Sequence, residues 1–240
     1  MALLEVQNLV KSYRRRRVVD KISFSIGEAE IVGLLGRNGA GKTTTFRMIM
    51  GMIKPDDGQV FFRNREITQL PMYRRARLGM GYLSQEPSVF RGLTVRENLL
   101  AVLETLPLSR ADRKARLEEL LDVFGLTPLS DARASTLSGG ERRRLEITRA
   151  LVLEPALILL DEPFAGVDPI AVADIQGNVR ALKDRGISAL LTDHNVRETL
   201  SITDRSTIID EGKKIAEGPP ASIIEDPVVR ETYLGEGFKL

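Results

Sequence analysis

The sequence predicts an α/β fold. A mostly parallel core sheet is preceded by an antiparallel N-terminal β subdomain and interrupted by a helical insert. Three observations predict it. Apolar runs at 31–35, 156–160 and 187–191, the last broken only by Ser188, read as strands buried on both faces, with helical patterns between them. The first run leads directly into Gly36-Arg37-Asn38-Gly39-Ala40-Gly41-Lys42-Thr43, which has the spacing G-x-x-x-x-G-K-[ST] of a phosphate-binding loop. A capping box at Thr94-Val95-Arg96-Glu97 then opens a long stretch of helical periodicity.

Taken in order, Leu4 and Val6 alternate with polar residues, as do Ile22, Phe24 and Ile26, so residues 2–35 read as strands with a turn at Gly27-Glu28. Tyr13 falls in the polar link between the first two. Behind the phosphate loop, residues 43–50 continue as a helix. Pro55-Asp56-Asp57-Gly58 is a turn, 59–62 a strand, 71–78 a short basic helix and 80–83 a strand ending at Ser84-Gln85. The insert spans about 87–137. Its first helix runs from Val95 to about Leu106; its second begins at Ser109, aligns Leu117, Leu120, Leu121 and Phe124, and stops at Gly125. The core, about 1–86 and 138–240, resumes with a helix from Leu137-Ser138-Gly139-Gly140-Glu141 to Leu153, ahead of Pro155. A helix over 170–185 carries Val172, Ile175, Val179 and Leu182 inward. Residues 206–209 and 214–216 flank Glu211-Gly212 as a hairpin.

At 240 residues the chain can bury roughly 70 to 75% of its unfolded surface, enough for one sizeable core with a subdomain. With no cysteine it has neither disulfides nor thiolate metal sites. No apolar run approaches the roughly 18 residues of a membrane span and no secretory pattern opens the chain, so a soluble protein with no direct membrane insertion is expected. Thirty-five basic and 33 acidic residues nearly balance, which argues against a nucleic-acid partner. The basic groups at Arg14 to Arg17 and at Arg74, Arg75 and Arg77 read as solvated faces.

The chemistry gathers at strand ends, where open α/β sheets bind ligands. In the loop, glycines let backbone N–H groups converge on an anion, and the free N–H groups opening the next helix, Thr44 among them, add to that field. Lys42 reaches the β and γ phosphates, and the Thr43 hydroxyl holds Mg2+. Asp161 beside Glu162 closes the second buried strand. Two adjacent buried carboxylates repel and desolvate badly, and a divalent cation removes that conflict. Asp161 then serves Mg2+, leaving Glu162 to orient and deprotonate the attacking water. Gln85 can reach Mg2+ or that water. His194, the only histidine, follows the third buried strand and reads either as a satisfied core residue or as a group near the γ-phosphate. Tyr13 is a candidate to stack on adenine. Ser138 is a natural N-cap whose helix offers a second anion site with Gly139 and Gly140, and Arg142, Arg143 and Arg144 oppose its dipole unless an anion lies near.

These motifs together resemble an ABC-type P-loop ATPase, the nucleotide-binding subunit of a membrane transporter. The likeness spans essentially the whole chain, from Tyr13 through the phosphate loop, Gln85, Leu137-Ser138-Gly139-Gly140-Glu141, Leu160-Asp161-Glu162, Ala165-Gly166-Val167-Asp168 and His194. The resemblance implies ATP and Mg2+ as cofactors and a homodimer in which each ATP lies between one chain's phosphate loop and the other's Ser138-Gly139-Gly140. Asp168 would join the two sites across that interface. Residues 87–137 would receive the coupling helices of transmembrane subunits, placing the chain at the cytoplasmic face of an inner membrane. Within the family, the runs 161–170 and 192–200 and the ending Tyr233-Leu234-Gly235-Glu236 with Phe238-Lys239-Leu240 are similar to lipopolysaccharide export ATPases, with branched-chain amino acid importers as the nearest rival. Two departures stand out: Arg37 where the family usually has Pro, and Ser84 where Pro often precedes the Gln. Phe90, ahead of the capped helix, reads either as packing inside the insert or as an exposed anchor for a coupling helix. A soluble ABC protein acting on DNA or ribosomes is the reading from another class, but paired cassettes or a coiled-coil insertion are missing. A GTPase or kinase finds no N-K-x-D run.

Overall fold

The computed structural model describes residues 2–235, 237 and 238, save the side chains at 169 and 170. Glu236, Lys239 and Leu240 of the terminal motif, and the Ile170 side chain, lie outside the described residues. Strands β1 (Leu4–Tyr13) and β2 (Arg16–Ile26) form a hairpin, followed by β3 (Ile31–Leu35), helix α1 (Lys42–Met50), β4 (Asp57–Phe62), β5 (Arg65–Glu66), α2 (Met72–Arg77) and β6 (Met80–Leu83). The helical insert carries α3 (Val95–Leu103) and α4 (Arg110–Val123). After it come α5 (Gly139–Leu151), β7 (Leu157–Asp161), α6 (Pro169–Asp184), β8 (Ser188–Thr192), α7 (Val196–Leu200), β9 (Arg205–Asp210), β10 (Lys213–Gly218), α8 (Pro220–Glu225) and α9 (Pro227–Val229), then a π-helical turn over Arg230–Leu234.

Two sheets result. The antiparallel one has the order β2-β1-β4-β5, and the core sheet the order β10-β9-β3-β8-β7-β6. In the core sheet every neighbouring pair is parallel except the β9–β10 hairpin. Because side chains alternate across a strand, β7 sends Ile158 and Leu160 into the cluster that includes Leu99 of the insert, Leu145 of α5 and Val179 of α6. Its Leu157 and Leu159 face the other way, toward Phe46, Val60 and Ile22. Strands β3, β7 and β8 are thus covered on both sides, and every one of their residues is buried. A smaller cluster joins Leu35, Ile208, Ile223 and Val229 to the C-terminal Tyr233 and Phe238.

Several elements differ from the sequence expectation. Tyr13 is the last residue of β1, paired with Arg16, and not part of a link. The turn is Arg14-Arg15, both left-handed with φ of 45° and 72°, as a tight two-residue hairpin requires. Helix α3 stops at Leu103 and α5 at Leu151, a few residues short in each case. Arg75 does not belong to a solvated face. It is wholly buried, donating to Leu70 O, Met48 O, Ile49 O and Thr68 O at 2.6 to 3.0 Å. The last carbonyls of α1 lack the i+4 partners of the helix interior, and a guanidinium from α2 reaches two of them, Ile49 O and Met48 O, the latter also capped by Gly51 N at 3.1 Å. Burial draws its pKa down to about 10.

Candidate nucleotide site

The phosphate loop leaves β3 at the carboxyl edge of the sheet and is clasped from both sides. Gly212 N, in the β9–β10 turn, donates to Ala40 O at 3.0 Å. Gly41 sits at φ 102° with Val18 O where a Cβ would be, 2.4 Å away, so only glycine fits there. It caps α1 without any side-chain bond to the helix amides, leaving the first N–H groups of a nine-residue helix directed at the loop. Lys42 opens that helix almost fully buried, its Nζ donating to Gly36 O at 2.6 Å and Arg37 O at 3.0 Å. Burial lowers its pKa, opposed by the charges of Glu162 and Asp193. Arg37, Asn38, Gly39 and Thr43 are exposed around the loop, and Thr44 is half-buried.

The neighbouring strand ends bring the other polar groups to the same edge. Asp161 is buried, and desolvation followed by the adjacent Glu162 charge raises its pKa. The Tyr82 hydroxyl donates to its Oδ2 at 3.4 Å. Glu162 turns into the left-handed region at φ 47°, held by its N–H to Thr192 O at 2.7 Å. Gln85 Nε2 donates to Glu162 Oε2 at 2.8 Å. His194 Nδ1 stands 3.6 Å from the same oxygen and 3.4 Å from Asp193 Oδ1. With its ring 59% exposed, His194 is no core histidine.

Among the described residues no cluster of three or more His, Asp or Glu could hold a metal unaided. One buried carboxylate at Asp161, with the Thr43 hydroxyl at the start of the helix packed on β7, instead fits an ion that arrives with phosphates. Mg2+ is commonly held through one or two carboxylates and substrate oxygens.

Ser138 and Gly139 lie exposed at the start of α5. Ser138 and Glu141 form a capping box, with Ser138 N to Glu141 Oε2 at 2.8 Å. The arginines behind them are not a free anion patch. Arg142 donates to Leu137 O, Arg144 pairs with Asp174, and buried Arg143 bonds Ser84 O, Asp161 O and Glu146. The dipole conflict expected there is offset by Glu141 and these carbonyls. Asp168 is exposed and caps α6 through Oδ1, accepting from Ala171 N at 3.0 Å. Tyr13 is 45% exposed and Phe90 50%. The Phe90 ring lies against the Arg149 guanidinium, 5.0 Å from its centroid.

Sequence reasoning did not find Tyr82 or Asp193, and although it named Arg143 and Tyr233 it did not foresee that both turn inward. Asp193 is fully buried and ties two loops together by accepting from Phe164 N and Asn195 N. Tyr233 returns from the C-terminus, its pKa pushed up to about 12 by burial. The adjacency of Asp193 to His194 was a usable signal. For the other three, nothing local shows that they turn inward: Arg143 has Glu146 one helical turn away, but its bonds to Ser84 O and Asp161 O, like the bond from Tyr82 to Asp161, reach far along the chain.

A family model described as "ABC transporter" matches residues 19–165, and one described as "Branched-chain amino acid ATP-binding cassette transporter" matches residues 213–239. The lipopolysaccharide export system ATP-binding protein LptB of Acidithiobacillus ferridurans is 56% identical over 238 residues, 99% of each chain. LptB of Escherichia coli strain K12 is 51% identical over the full length of both chains. Among solved structures, an ATP-binding cassette of an ABC transporter in its ADP conformation superposes with a TM-score of 0.87 at 33% identity, covering 98% of this chain and all of the other.

Proposed function

The chain belongs to the ABC transporter ATPase family, and from that premise we propose that its transporter extracts lipopolysaccharide from the inner membrane for export. The observation that carries this reading is end-to-end identity of 51 to 56% with proteins named for that export system. The match of residues 213–239 to a branched-chain amino acid model supports a second reading, an amino acid importer.

In either case the residues take the same roles. Tyr13 stacks on adenine. Arg37, Asn38, Gly39, Ala40, Gly41, Lys42, Thr43 and Thr44 bind the phosphates, with Lys42 exchanging its loop carbonyls for phosphate oxygens. Thr43, Gln85 and Asp161 hold Mg2+, which when bound neutralises charge on the β and γ phosphates. Glu162 takes the proton of the attacking water, Gln85 positions that carboxylate, and His194 contacts the γ-phosphate from the opposite side. Two copies pair head to tail, so that Ser138, Gly139 and Gly140 of one chain close over the nucleotide of the other, with Asp168 at the junction. Phe90, in the insert over 87–137, meets the coupling helices of the membrane subunits at the cytoplasmic face of the inner membrane. No helix among the described residues is long and apolar enough to cross a membrane.

The test is to isolate the tagged chain from its native membranes with MgATP and identify what copurifies, then to reconstitute the complex in proteoliposomes. ATP-dependent extraction of lipopolysaccharide is the expected result. Amino acid permease subunits would establish the second reading, and ribosomes or DNA would overturn both.

A further inference from the structure

The loop between β6 and α3 has two ends with different duties. One end carries Gln85, bonded to Glu162, and the other carries Phe90, half out in solvent. An aromatic ring in an exposed loop ordinarily samples many backbone states, each of which must be given up on docking. Here the backbone of Phe90 is instead held by a side chain from α3. Asn98 has no exposed surface, and its amide meets both main-chain groups of Phe90. Oδ1 accepts from Phe90 N at 2.8 Å, while Nδ2 donates to Phe90 O at 3.1 Å and to Thr94 O at 2.9 Å. This is the pairing that an adjacent strand would offer, supplied by one side chain. Helix α5 grips the same segment two residues earlier, where Ser88 N donates to Glu146 Oε1 at 2.6 Å and Arg149 Nη2 to Ser88 Oγ at 2.7 Å.

We propose that Asn98 is a positioning residue for docking of the membrane subunit: it fixes the Phe90 backbone so that the ring is presented to an apolar helix in one orientation. The proposal rests on the reading that Phe90 faces the partner. Only an amide of this length both donates and accepts here. Aspartate keeps the acceptor alone, and alanine keeps neither. Freeing the backbone costs affinity about tenfold for each residue that must be re-ordered on binding.

The test compares Asn98→Ala, Asn98→Asp and Phe90→Ala in the full chain. It reads affinity for the purified membrane subunits, ATP hydrolysis by the isolated chain, and amide hydrogen exchange across residues 86–94. Asn98→Ala is expected to weaken docking about tenfold or more and to speed exchange at Phe90, with hydrolysis by the isolated chain within about twofold. Asn98→Asp, which sets a carboxylate oxygen against the Phe90 and Thr94 carbonyls in a fully buried place, should dock at least as weakly as the alanine variant. If Asn98→Ala docks like the unaltered chain while Phe90→Ala does not, the proposal fails and the Phe90 reading survives. If Phe90→Ala docks normally, that reading itself falls. A parallel loss of docking and hydrolysis would reduce Asn98 to a structural residue. Should the alanine variant not fold, the unaltered protein decides: a Phe90 amide that exchanges as fast as those of Arg91 and Gly92 overturns the clamp.

Discussion

Gln85 Nε2 donates to Glu162 Oε2 across 2.8 Å, joining the ends of β6 and β7. From β8 on the other side, His194 Nδ1 stands 3.6 Å from the same oxygen. Three neighbouring strands therefore converge on one carboxylate atom, and Glu162, lifted out of the extended conformation at φ 47°, is the residue on which they meet.

If that carboxylate is the base, Glu162→Gln removes the proton acceptor while keeping the shape and the bond from Gln85. ATP turnover should fall by about a hundredfold or more with ATP still bound, and the dimer should accumulate. Phosphate release and light scattering measure the two effects. Unchanged turnover would place the base elsewhere.

Asp161 gives a pH prediction. Its folded pKa is raised, chiefly by burial, so the ionised form opposes folding at pH values above that pKa, and the opposition fades as the group protonates. Asp161→Asn should melt higher than the parent at neutral pH without nucleotide, and the difference should shrink as pH falls through the folded pKa. Each kcal/mol relieved corresponds to about 2 to 4 °C in a chain of this size. Melts across a pH series decide it, and a lower Tm at neutral pH would contradict it.

Arg75 answers four carbonyls with one guanidinium. Arg75→Leu removes these bonds in a dry environment, with only Met48 O keeping another donor at Gly51 N, and should destabilise the protein by at least about 2 kcal/mol in urea unfolding. Arg75→Lys should recover little, since one ammonium cannot span the same fork.

Gly140 packs so closely on α6 that an added Cβ would lie 2.5 Å from Ala171 Cβ. Gly140→Ala should push α5 off α6, tilt Ser138 and Gly139, and lower ATPase activity about tenfold. Adding Ala171→Gly returns the space, so the double variant should regain activity. A double variant as slow as the single one would show that packing is not the cause.

Much of this was legible in local order. The three buried strands, the phosphate loop and the Thr94 and Ser109 caps follow from periodicity and spacing, which act over a few residues. Arg75 and Arg143 were not legible. Each sits in a run of arginines, and nothing in such a run tells which guanidinium turns inward. That depends on which unsatisfied carbonyls another helix or strand places beside it. Phe90 left two readings open for the same reason, and the packing of α3 against the loop decided for exposure at 50%.

By itself the sequence determined the α/β class, the order of its elements and the chemical identity of the groups at the strand ends, because hydrophobic period and glycine spacing are written along the chain. Only the tertiary structure decided that Gln85, Glu162 and His194 share one oxygen's neighbourhood, that Asn98 holds Phe90, and that Arg75 is buried. Those relationships join residues far apart in the chain or on different elements, and sheet order and helix packing, not local preference, bring them within hydrogen-bonding reach.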